Sequence, residues 1–229
     1  MKEQDVAVKW FNTVFYPQNK TGRAVLYEEK ILPRLRESEI YFFTPWGPRY
    51  DYKKRGLAIT EDHKEVKVMK FLAGLLGQLK ENMPSKKLSW FFLGADLYGT
   101  RINGLPKEVV SKYFDSLDTW LKKILPEVKL QLWSSFDQEA ENYRKKVRQD
   151  FSNYIDAKLL ARASKTAKGM RQGGDPNEYL VERIAEVMLI EKNLHPIKLS
   201  CVARYKDDKV DMTLPRLYFV PEALHAPWM

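Results

Sequence analysis

Three stretches of this 229-residue chain place acids, cations and aromatic hydroxyls directly after apolar runs. The first is Phe42-Phe-Thr-Pro-Trp-Gly-Pro-Arg-Tyr50, which continues to Lys53, Lys54 and Arg55. Its cations crowd a Gly/Pro-rich loop and suit a phosphate clamp, because guanidinium and ammonium groups form charge-assisted bonds to phosphate oxygens. A solvated basic loop reads equally well. The second is Phe91-Phe-Leu-Gly-Ala-Asp-Leu-Tyr98, with Arg101 as a further substrate-contacting cation. Gly94 and Gly99 frame Asp96, as if backbone packed closely around a ligand. There Asp96 serves as general base or holds a substrate amine, unless it is a turn residue bonding its own backbone. The third is the apolar stretch from Ile197, with Lys198, Arg204 and Tyr205 towards its ends.

A fourth group lies on a helical pattern. Tyr179, Glu182 and Glu186 fall three and four residues apart and so share a face. The rest of that segment, Ile184 to Ile190, is strongly apolar. A carboxylate drawn towards the core there has a raised pKa and can move protons. The competing reading is an exposed Glu stripe paired with Arg183 and Lys192. That reading is favoured for Glu182, whereas the two are balanced for Glu186.

Several classes are excluded. No GxGxxG or GxxxxGK[ST] pattern is present, which argues against dinucleotide and Walker-type nucleotide sites. One cysteine, Cys201, permits no internal disulfide, and its apolar neighbours suit a buried, inert thiol. His63, His195 and His225 lack metal-ligand spacing, so no structural metal is expected. No run reaches the ~20 apolar residues of a membrane helix, and the opening residues lack a signal-peptide apolar region. A cytoplasmic location is the expectation. Oligomeric state is not legible.

The net charge of +9 is uneven. Between Arg144 and Arg171 the basic positions 144, 145, 146, 148, 158, 162, 165, 168 and 171 face only Asp150 and Asp156. Such clustering marks either a polyanion contact, tRNA among them, or a solvated helix face.

These residues need elements to position them. Helices are expected over Val6 to Phe15 and Leu26 to Leu35, then a short strand at Ile40 to Phe43. Thr60-Glu-Asp reads as a helix cap, and that helix ends at Met83-Pro84. Leu88 to Leu93 is a continuous apolar run, as in a strand covered on both faces. Pro106 starts a helix, and Val128 to Trp133 alternates as a strand. One long helical region is expected from Glu139 to about Lys168. Asp175-Pro-Asn-Glu178 has the form of a capping box opening a helix to about Lys192, and one or two strands follow. Strand and helix alternate, which predicts an α/β, Rossmann-like, mostly parallel sheet with helices on both faces. The chain reads as one domain over 1–229, with a helical elaboration at about 139–192.

In order along the chain, four segments resemble the isocyanide synthase family of pyoverdine and dityrosine biosynthesis. Lys30 to Trp46 looks like its first helix and strand, and the helix carrying Glu65 like its acid-led helix. Leu93-Gly-Ala-Asp-Leu-Tyr98 with Asn103 to Tyr113 is similar to its strand, turn and following helix. Ile197-Lys-Leu-Ser200, Lys209 and Pro227-Trp228 resemble its Arg-Leu-Ser strand, downstream lysine and terminal Pro-Trp. Lys198 stands for the family's arginine; the lysine that follows the family's first strand has no direct counterpart, the nearest cations being Arg49 and Lys53. The resemblance implies an enzyme that joins the amine of an aromatic amino acid to the ketone carbon of ribulose 5-phosphate, with no cofactor for this step. Asp96, Glu65 and Glu186 would be its acid–base residues, and Arg49, Lys53, Lys54 and Lys198 its phosphate clamp.

The chain also resembles, more weakly, the cyclodipeptide synthases, which take aminoacyl-tRNA. There Thr44 would stand for the nucleophilic serine, Tyr179 with Glu182 or Glu186 for a helical pair, and Tyr205 for a strand tyrosine. A non-catalytic RNA-binding protein using the same basic helix is the further alternative.

Overall fold

The structure, a computed structural model, describes residues 32–47, 59–169, 175–194, 197–200 and 216–218. Expected features at Val6 to Phe15, Arg49, Lys53, Lys54, Cys201, Tyr205, Lys209 and Pro227-Trp228 lie outside them. The described elements are α1 (Leu32–Arg36), β1 (Glu39–Trp46), α2 (Lys64–Asn82), β2 (Lys87–Gly94), a π-helical turn (Tyr98–Ile102) and α3 (Lys107–Ile124). There follow β3 (Lys129–Leu132), a 3-10 turn (Trp133–Phe136), α4 (Asp137–Gln149), α5 (Phe151–Tyr154), α6 (Ala157–Gly169), α7 (Pro176–Leu194), β4 (Ile197–Ser200) and β5 (Arg216–Tyr218).

The five strands form one sheet in the order β3-β2-β1-β4-β5, and every pairing is parallel. That order reverses direction between β1 and β4, the kind of switch point beside whose carboxyl edge Rossmann-like sheets place their ligands. Phe42 pairs in register with Trp90, and Phe43 with Phe91. Because side chains alternate along a strand, Ile40, Phe42, Trp46, Trp90 and Phe92 face one helical layer and Phe43, Phe91 and Leu93 the other.

The first layer is α2 and α3. On α3, Val110, Tyr113, Phe114, Leu117 and Leu121 recur at helical spacing and are buried. The second layer is α4 to α7. Its central helix, α7, is buried nearly all round: Leu180, Val181, Ile184, Ala185, Val187, Leu189 and Ile190 are all in the core.

Three expectations shift. The helix expected from Thr60 begins at Lys64 instead. Thr60 opens a turn: its N–H donates to His63 Nδ1 at 2.7 Å and its carbonyl accepts the His63 N–H at 3.1 Å. The strand expected to reach Trp133 stops at Leu132, where the 3-10 turn begins. The single long helical region divides into α4, α5 and α6. Asp156 causes the second break, since its carboxylate accepts the Leu159 N–H at 2.7 Å and so caps α6. Asp175 caps α7 as expected, accepting the Asn177 N–H at 2.8 Å. Glu178 does not complete a capping box; its carboxylate takes Arg148 at 2.8 Å.

Candidate functional site

At the carboxyl ends of β1 and β2 lies a cavity of about 120 Å³, lined by Pro45, Leu93, Ala95, Tyr98, Trp133, Tyr179, Arg183 and Glu186. Five elements bring these together. Pro45 and Leu93 belong to the strand faces that look towards α7. The π-helical turn after β2 carries Tyr98; its signature bond is Asn103 N–H to the Tyr98 carbonyl at 2.9 Å. Single π-turns of this kind recur at functional sites. Trp133 opens the 3-10 turn, and Tyr179, Arg183 and Glu186 sit at i, i+4 and i+7 on α7, hence on one face.

Glu186 is the buried charge of this cavity, at 2% exposure. One carboxylate oxygen accepts the Tyr98 hydroxyl at 2.8 Å, and the other accepts Arg183 at 2.8 Å. The Tyr98 ring meets Tyr179 edge to face, with centroids 6.1 Å apart. Burial pushes the Tyr98 phenol well above its ordinary pKa, and the neighbouring Glu186 charge pushes it the same way. Tyr98 therefore remains a neutral donor at physiological pH. Each Glu186 oxygen keeps acceptor capacity for an incoming cation. A carboxylate and a guanidinium beside aromatic walls can hold, respectively, a cationic and an anionic group of a small ligand.

Glu182 overturns its expected role as an exposed stripe residue. It is 5% exposed and turned towards α4, where Arg144 grips it through Nε at 2.7 Å and Nη2 at 2.8 Å. It also accepts the Trp133 indole N–H. Burial alone lowers the proton affinity of Arg144, but its bonds to Glu182 reverse this and hold the guanidinium above its ordinary pKa.

The other expected site residues are dispersed. Asp96 follows β2 but does not line the cavity; its carboxylate accepts the Ser134 N–H at 3.0 Å, tying the exit of β2 to that of β3. Arg101 forms a two-pronged pair with Asp137 at 3.0 and 2.6 Å, and that hydrogen bond holds the Asp137 carboxyl below its usual pKa. Glu65 is buried in the first turn of α2, in the opposite layer. Lys198 lies on β4 in register with Phe43 and Arg216. Thr44 accepts the Trp90 indole N–H at 3.0 Å and so faces the α2 and α3 layer, away from the cavity.

Two further expectations are corrected. The space beside Gly94 is filled by the protein, not by a ligand: a Cβ there would meet Leu132 at 2.7 Å and Phe114 at 2.8 Å. The basic cluster loses two members, since Arg144 is internal and Arg148 pairs with Glu178. Lys145, Lys146 and Lys158 remain exposed. Among the described residues no group of His, Cys, Asp and Glu is arranged to hold a metal, and no helix is long and apolar enough to cross a membrane.

The sequence reading gives Tyr98 no role beyond its place beside Asp96 and Trp133 none; it counts Arg144 in the basic cluster and Arg183 only as a partner for an exposed Glu stripe. The helical period held the signal for Arg183, four residues after Tyr179 and three before Glu186. For Arg144 and Trp133 no local signal exists, because their partner is Glu182, 38 and 49 residues away.

No protein-family model matches the chain, and no curated protein sequence matches it. Solved structures do. The PvcA protein from Pseudomonas aeruginosa aligns with a TM-score of 0.62 at 14% identity, covering 99% of this chain and 87% of that one. Tyrosyl-tRNA synthetase from Archaeoglobus fulgidus, in complex with L-tyrosine, aligns with a TM-score of 0.55 at 13% identity, covering 85% of this chain and 59% of that one. At these identities the likeness is one of fold: the chain shares an α/β, Rossmann-like architecture with both.

Proposed function

We propose that this chain is an enzyme of the isocyanide-synthase kind, which joins the amine of an aromatic amino acid to a sugar phosphate resembling ribulose 5-phosphate. The observation that carries this reading is Glu186, a buried carboxylate between Tyr98 and Arg183 in the wall of an aromatic-lined cavity. Glu186 takes the substrate ammonium and removes the proton that masks its lone pair. The freed nitrogen adds to the ketone carbon of the sugar, and loss of water gives the imine. Arg183 faces the amino-acid carboxylate, and Tyr98, Tyr179 and Trp133 surround the side chain. Arg49, Lys53, Lys54 and Lys198 hold the phosphate, with Arg101 and Tyr205 as further substrate contacts. Asp96 and Glu65 are the remaining acid–base candidates. The fold is shared with PvcA and with a synthetase solved in complex with L-tyrosine, which supports an amino-acid substrate.

A tRNA-dependent reaction is the second reading, supported by the synthetase fold and by exposed Lys145, Lys146 and Lys158. Against it stand the position of Thr44 and the internal pairing of Arg144.

Thermal unfolding with L-tyrosine, L-tryptophan, ribulose 5-phosphate and bulk tRNA separates the two. A ligand at a hundred times its dissociation constant adds about 2.7 kcal/mol and raises the midpoint visibly. The expected result is a shift with one aromatic amino acid, enlarged by the sugar phosphate and lost in Glu186→Gln. A shift with tRNA alone overturns the proposal in favour of the second reading.

A further inference from the structure

Arg144 does not line the cavity, yet two of the elements that do are tied to it. A guanidinium has five N–H donors, and each of the three nitrogens of Arg144 has a partner. Nε and Nη2 reach Glu182 at 2.7 and 2.8 Å. Nη2 also meets Asp137 Oδ1 at 2.7 Å, while Nη1 meets the Asp137 carbonyl and Glu141 Oε2, each at 3.1 Å. From this hub two chains of bonds run to the cavity. Through Glu182, one turn before Glu186 on α7, the first reaches the Trp133 indole. Through Asp137, the second reaches Arg101, which shares the π-helical turn with Tyr98.

Burial of the two charged groups Arg144 and Glu182 is not needed for stability, since apolar side chains of similar volume often pack as well or better. What the pairing adds is direction: a planar fork accepts its partners in one geometry only. We propose that Arg144 is a positioning residue, which fixes α7, Trp133 and the π-helical turn so that Tyr98, Arg183 and Glu186 face the cavity at set positions. This rests on the reading of the cavity as the amino-acid site.

The test compares Arg144→Lys, which keeps the charge but loses the fork, with Leu117→Ala, a buried change in the opposite layer. Binding of L-tyrosine is measured by calorimetry at a temperature where every variant is folded. Arg144→Lys is expected to weaken it about ten-fold or more, as small misplacements of binding groups do; Leu117→Ala leaves it within about two-fold despite an equal or larger loss of stability. Equal affinity losses, or none in Arg144→Lys, overturn the proposal. If the wild-type protein binds neither L-tyrosine nor, in the same assay, L-tryptophan, the reading of the cavity fails, and the positioning role is judged without ligand. Phenolate absorbance against pH, with Tyr98→Phe identifying the signal, is then expected to show Tyr98 ionising at lower pH in Arg144→Lys and unmoved in Leu117→Ala. An unmoved Tyr98 in Arg144→Lys overturns it.

Discussion

The two helical layers answer one packing problem with different chemistry. Against α2 and α3 the sheet presents Ile40, Phe42, Trp90 and Phe92, and the polar atoms there are mostly the tips of aromatic side chains. Trp46 donates to the Tyr113 hydroxyl at 2.7 Å, and Trp90 to Thr44 at 3.0 Å. Such bonds satisfy buried donors with no charge involved. Against α4 to α7 the core contains Arg144, Glu182 and Glu186, all at or below 5% exposure. Among the described residues, Glu65 is the one buried charge on the first side, and it sits in the first turn of α2, where the helix dipole favours a carboxylate. Buried charge thus gathers beside the cavity at the carboxyl edge. The layer that tolerates the desolvation cost is the layer that carries the candidate site.

The sharpest way to break this contrast is to remove one charge. Arg144→Met leaves Glu182 buried without its main partner, and a loss of about 3–5 kcal/mol is expected in urea unfolding. Arg144→Met with Glu182→Gln removes both charges and should regain most of it. If the double variant is as unstable as the single one, the network is held by packing and its charges are incidental.

Gly94→Ala tests the boundary between the layers. Its new methyl meets Leu132 and Phe114, both side chains and both closer than real Cβ atoms come. The overpacking costs about 2–3 kcal/mol. Because Gly94 points to the α3 side, ligand binding at the cavity should survive in the folded variant. Unchanged stability with abolished binding would mean that the face assignment is wrong.

How much of this was legible depended on distance along the chain. Alternation of strands with amphipathic helices made the parallel sheet readable, because Leu88 to Leu93 and the stripe on α3 are local patterns. Glu186 was half legible: its apolar neighbours left a core-facing carboxylate and an exposed partner of Arg183 in balance, and the structure buries it while keeping the Arg183 pair. Its neighbour Glu182 reads as exposed because nothing local announces its partner; the buried Arg144, 38 residues earlier, holds Glu182 in the core. Asp96 had the right position after a buried strand, but its carboxylate is used by the backbone of Ser134. Residue type and spacing identify groups fit for chemistry; the choice among them rests on pairings that only the tertiary structure makes.

The smallest effect belongs to Tyr98→Phe, and its pH dependence is more telling than its size. Near neutrality the variant loses the hydroxyl bond to Glu186 while the Arg183 pair remains, so about 1.5 kcal/mol is expected. Burial, and then the Glu186 charge, hold the folded-state pKa of Tyr98 above its ordinary value. A group raised in this way binds its proton more tightly when folded. Its contribution is fully present below about pH 10, the unfolded value, and is lost as the pH rises from there through the folded one. Phenylalanine has no proton to lose, so the stability gap between wild type and variant should narrow on the alkaline side. Urea unfolding of both proteins from pH 7 to about 10.5 measures that gap, with lysine titration common to the two and cancelling. A gap that stays constant would mean that Tyr98 ionises in the folded protein as it does in the unfolded chain, and its hydroxyl would have to be open to water rather than buried against Glu186.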